Sequence, residues 1–133
     1  MATLKFIADK VKTGELVFDD NIRKLVVMLI HSNVRIDKND ELAIFDLEDN
    51  SSLILELMKA RILSKDAQIK LFSLENAEEI ILHYIEEDYL CEEAVDCIFN
   101  MPEDVGHRIF QKYIEIHPLE RYAKEVAEEK GWL

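Results

Sequence analysis

Two consecutive stretches decide the reading of this chain: residues 36–62, IDKNDELAIFDLEDNSSLILELMKARI, and residues 63–89, LSKDAQIKLFSLENAEEIILHYIEEDY. Superposed at an offset of 27 residues, they place Lys38 on Lys65, Phe45 on Phe72, Leu47 on Leu74, Glu48 on Glu75, Ile54 on Ile81 and Leu55 on Leu82. Those six identities exceed the roughly two that average composition gives by chance. The apolar pattern agrees as well: Ile36, Ile44, Leu53, Leu57, Met58 and Ile62 fall on Leu63, Leu71, Ile80, Tyr84, Ile85 and Tyr89.

The pattern extends in both directions. Leu63, Ala67, Leu71, Phe72 and Leu74 fall on Leu90, Ala94, Ile98, Phe99 and Met101. After a two-residue insertion, Ile80, Ile81, Tyr84, Ile85 and Leu90 fall on Ile109, Phe110, Tyr113, Ile114 and Leu119. Backwards, Val17, Phe18, Val26 and Val27 match Ile44, Phe45, Leu53 and Ile54, and the match fades before Val17.

Each unit reads as two short helices. The second half of each holds apolar residues at i, i+1, i+4 and i+5, as in Ile80, Ile81, Tyr84 and Ile85, which is a helical stripe and not a strand alternation. Asp37 and Ser64 suit N-caps, Asn76 with Glu79 suits a capping box, and Pro102 suits a helix's first turn. These signals predict helices at 3–12, 15–19, 21–32, 38–47, 51–61, 65–73, 77–88, 92–100, 103–116 and 119–130. The expected fold is all-α: an α-solenoid of helical-hairpin repeats with a period of about 27–29 residues. One domain, 1–133, would hold an irregular unit 1–35, repeats 36–62, 63–89 and 90–118, and a charged capping helix 119–133. Phe45, Phe72 and Phe99 are expected at equivalent buried places.

This pattern resembles the helical-hairpin repeat class that includes HEAT, armadillo and TPR arrays, with a shorter unit. The resemblance implies a scaffold that presents a surface to partners.

Composition narrows the function. Among 133 residues, 49% are apolar and 33% charged, enough to bury a core. The net charge of −12 opposes direct nucleic-acid binding through phosphate contacts. Residues 1–36 hold six basic and four acidic side chains, whereas residues 37–133 hold ten against twenty-four. From Leu71 to His107 there is no Lys or Arg. Within that run Glu78, Glu79, Glu86, Glu87, Asp88, Glu92, Glu93 and Asp96 are the candidate partner-binding residues, because unbalanced like charge repels itself and attracts a basic surface. A solvated acidic surface is the plainer reading of the same run.

Catalytic and metal-binding patterns are missing. Phosphate-loop, dinucleotide and nucleophile-elbow motifs do not occur, and Asp46, Glu48 and Asn50 lack the Gly and Glu that an EF-hand loop needs. His31, His83, His107 and His117 form no ligand pair, and the spacing of Cys91 and Cys97 fits no common zinc site. His31 falls on the stripe position of Met58 and Ile85, so partial burial is expected. No catalysis, metal or cofactor is expected. The N-terminus lacks a signal-peptide core and no apolar run is long enough to span a bilayer, so a reducing cytoplasm is the expected compartment. The sequence therefore points to a non-catalytic interaction module that binds a basic protein, with no direct nucleic-acid or membrane contact. The alternative is an acidic inhibitor, an immunity protein or nucleic-acid mimic, of a nucleic-acid-processing enzyme.

Overall fold

The computed structural model describes residues 3–32 and 36–133, all of whose regular elements are helices. The expected junction between the irregular first unit and the first repeat, near 35, falls partly outside the described residues. The elements are α1 (Thr3–Lys12), α2 (Asp20–Ile30), α3 (Lys38–Phe45), α4 (Ser51–Ala60), α5 (Lys65–Leu71), α6 (Ala77–Glu87), α7 (Glu92–Phe99), α8 (Glu103–Ile116) and α9 (Arg121–Lys130). They form two compact units, Met1–Lys70 and Leu71–Leu133, divided near the end of α5.

In the first unit α1 packs on α3, α2 on α4, and α3 on α4. The expected short helix at 15–19 is absent; that segment is a non-helical connector, bent at 15–16, with Val17 75% exposed. Helix propagation fails there because Gly14, at φ +81°, turns the chain left-handed after α1. Asp19 then starts α2 by accepting the Ile22 amide at 3.0 Å. His31 lies beyond α2 as its C-cap and is exposed, so the expected partial burial does not occur. Its Nε2 instead meets Glu56 Oε2 at 2.5 Å.

Asp37 caps α3 through a full capping box: its carboxylate accepts the Asp40 amide at 2.9 Å, and Asp40 accepts the Asp37 amide in return. Asp40 is 2% exposed and its other oxygen accepts the Lys5 amide of α1 at 3.0 Å. One carboxylate thus satisfies orphan amides at the starts of two helices. Its neighbour Glu41 is fully buried and accepts the Ser64 amide at 3.2 Å. Arg61 Nε stands 3.4 Å from Glu41, a charge contact without hydrogen-bond geometry, while its NH1 donates to the Ile36 carbonyl.

In the second unit α6 packs on α8, α7 on α8, and α7 on α9. Asn76 makes no cap bond to α6, contrary to the expected capping box, because its backbone (φ −102°, ψ 39°) is not extended as a cap requires. The Ala77 amide bonds to the Leu74 carbonyl instead. Pro102 is the residue before α8, with Glu103 opening the helix, and α9 begins at Arg121. Trp132 folds back after Gly131 (φ +76°) and packs 5.6 Å from Phe99 and 5.5 Å from Phe110. Its indole N–H donates to Glu103 at 2.7 Å.

Burial follows the repeat register, displaced by one residue from the phenylalanines. Ile44, Leu71 and Ile98 are buried, as are Leu53, Ile80 and Ile109; Ile54, Ile81 and Phe110; and Leu57, Tyr84 and Tyr113. Of the three phenylalanines only Phe99 is buried; Phe45 and Phe72 are half-buried. Adjacent helical positions differ by about 100°, so one residue of offset moves a side chain to the edge of the core. Phe99 escapes this because Trp132 covers it.

Candidate functional site

The charge belongs almost wholly to the second unit. Residues 71–133 carry sixteen acidic and five basic side chains, net −11, whereas residues 1–70 carry twelve and eleven, net −1. All eight candidate acids lie in that second unit.

They do not act alike. Glu78, in the first turn of α6, is bound by Arg108 of α8 in a two-pronged pair, with Nε to Oε2 at 2.7 Å and NH2 to Oε1 at 3.0 Å. The Arg108 hydrogen bonds hold the Glu78 carboxyl below its ordinary range and the guanidinium above its own. Glu78 is therefore neutralised from within. Glu79, Glu86 and Glu87 are exposed along α6, and half-buried Asp88 caps its C-terminus, donating its amide to Tyr84. Glu92 and Glu93 open α7, exposed, and Asp96 follows one turn later, half-buried.

Glu92 and Asp96 line a cavity of about 400 Å³ together with Glu120, which precedes α9. Glu79, Glu86, Glu87, Asp88 and Glu93 do not line it. The rest of its wall is mainly apolar or aromatic: Tyr89, Leu90, Val95, Tyr113, His117, Pro118, Leu119, Tyr122 and Ala123, with Cys91 alongside. No Lys or Arg lines it.

The backbone joints build this wall. The chain leaves α6 extended at Asp88 and enters α7 after Leu90 and Cys91, while Pro118 keeps the chain extended between α8 and α9. The buried Tyr113 hydroxyl accepts the Leu90 amide at 3.3 Å, tying α8 to that joint. Burial pushes the Tyr113 phenol above its ordinary value, so it stays a neutral hydroxyl. His117 Nε2 donates to the Ile85 carbonyl at 2.7 Å, and its ring lies 5.0 Å from Tyr113 and 6.3 Å from Tyr89. His117 thus lies against both Tyr113 and Tyr89, while Tyr89 and Tyr122 are 72% and 52% exposed.

Sequence spacing alone did not single out Glu120, Tyr89, Tyr113, His117 or Tyr122 as a group. The signal available was that Tyr89, His117 and Glu120 sit at the equivalent joints after α6 and α8, with Tyr113 and Tyr122 in the helices beside the second joint. Burial, then the nearby Asp96 charge, push the Cys97 thiol up from its ordinary value. Among the described residues, no group of three or more His, Cys, Asp or Glu is placed to hold a metal ion, and no helix is long and apolar enough to cross a membrane. No protein-family model matches the chain, and no curated protein or solved structure matches it significantly.

Proposed function

We propose that the chain is a helical-hairpin repeat module of the α-solenoid kind, without catalysis of its own, that binds a basic protein through the acidic second unit. The observation that carries this reading is the concentration of net charge −11 in residues 71–133, with Glu79, Glu86 and Glu87 exposed and one open cavity free of basic lining. The repeat reading is supported inside each unit by how equivalent helices meet. Second helices pack on second helices in both units (α2 on α4, α6 on α8), and in the second unit the first helix α7 packs on α9, which starts the next copy. Cys91 and Cys97, both half-buried and outside any disulfide, suit a reducing cytoplasm.

An acidic field speeds encounter with a basic surface, weakens with salt, and repels free nucleic acid. Affinity capture from native lysate at low and high salt identifies the partner. Association kinetics of that partner with the double variant Glu79→Lys/Glu86→Lys then test the surface. Slower association with the fold intact is expected. An unchanged rate at low salt, or direct binding of DNA or RNA, overturns the reading.

A further inference from the structure

We infer that the cavity at the joints flanking α7, α8 and α9 is a socket for one arginine or lysine side chain of a basic peptide segment. The inference rests on the proposed basic partner and names how it is gripped. About 400 Å³ accommodates a long side chain with some flanking backbone. The walls offer what such a side chain needs along its length. The apolar stem would run against Leu90, Val95 and Leu119, and the cationic head would meet tyrosine faces. Glu92, Asp96 and Glu120 complete the complement with negative charge, and no lining cation competes.

The choice of occupant follows from charge and form. A second copy of this chain would bring another −12 to an acidic rim, and a nucleic acid would bring phosphates. A basic peptide brings the opposite charge. Arginine is favoured over lysine because its planar, weakly hydrated guanidinium both stacks on rings and donates hydrogen bonds to carboxylates on more than one side. His117 is already anchored through Nε2 to Ile85, and Tyr113 to Leu90, so those two walls need little reordering on binding. Tyr89 and Tyr122 are the exposed rings that would close on the ligand.

The test uses the whole isotope-labelled chain and three short peptides, Ac-Gly-Xaa-Gly-NH2, with Xaa as arginine, lysine or citrulline, followed by amide chemical shifts. Saturable shifts at Tyr89, Leu90, Val95 and Tyr122 are expected with arginine, weaker ones with lysine, and none with the neutral isostere citrulline. Tyr89→Ala and Tyr122→Ala, both at exposed rings, should each weaken the arginine peptide by about tenfold with helicity unchanged. Asp96→Asn should weaken it while leaving the folded spectrum intact. Equal binding of citrulline, unsaturable shifts spread along α6, loss of the cavity by self-association in sedimentation, or no shift at all would each overturn the socket. The two proposals fail separately. If Glu79→Lys/Glu86→Lys slows the partner while the tyrosine variants leave peptide binding unchanged, the socket is lost and the acidic surface stands. If the tyrosine variants abolish peptide binding and the double reversal does nothing, the reverse holds.

Discussion

Gly106 lies inside α8, where a Cβ would stand 2.6 Å from the Ile98 carbonyl oxygen and 3.1 Å from the Trp132 ring. The oxygen is backbone and cannot step aside without moving α7. Gly106→Ala should therefore destabilise the second unit by about 1–3 kcal/mol despite alanine's better helix propensity. The tryptophan fluorescence midpoint in urea measures this directly, since Trp132 is the chain's single tryptophan. Glu41 makes a second residue-scale case. It is fully buried beside Arg61 and takes the Ser64 amide, so Glu41→Ala should cost about 1–3 kcal/mol by leaving that amide without its acceptor. Far-UV circular dichroism melts would show it, and a loss below about 1 kcal/mol would mean that the amide finds solvent instead. Neither residue announces itself in the repeat pattern. Asp40 and Glu41 stand where the following copies have Ala67 and Gln68, then Ala94 and Val95. The buried charge of Asp40 is legible only once the first turn of α1 is seen to donate its Lys5 amide to it.

Between helices, the decisive pairing joins α6 to α8. Arg108 is the first basic residue after the run of acids, and it reaches back 30 positions to Glu78. Because the folded Glu78 carboxyl titrates below its ordinary value of 4.5, its contribution is fully present above that pH and disappears as pH falls through the lowered value. The stability gap between the native chain and Glu78→Gln should thus be widest near neutrality and shrink in acid. Urea titrations at about pH 7 and about pH 3 measure the gap, and Arg108→Ala should reproduce it. A gap independent of pH would show that packing and not charge joins these helices. The stripe itself makes another prediction for helices. Leu71 is fully buried and Phe72 half-buried, so Leu71→Ala should cost about 2–5 kcal/mol and exceed Phe72→Ala. Thermal melts of the two variants decide it.

Across the molecule, the two units differ in charge far more than in helix content. With −11 on 63 residues, the second unit repels itself, and monovalent salt should stabilise it. The Trp132-reported urea midpoint should rise between about 0.01 M and about 0.15 M salt as the screening length shortens from about 30 Å to about 8 Å. A flat response would mean that ion pairs such as Arg108–Glu78 already balance the field. By itself the sequence determined the helical class, most helix positions and the buried stripe of each second helix. Those depend on hydrogen bonds and side-chain periodicity within four or five residues, which the local pattern records. It also recorded where acids accumulate. Only the tertiary structure decided which acid is neutralised, which phenylalanine is covered, and that Tyr89, Tyr113, His117, Tyr122 and three carboxylates surround one cavity. Those outcomes depend on which helices pack together and on where joints distant in the chain come side by side. A stripe of apolar residues leaves both open.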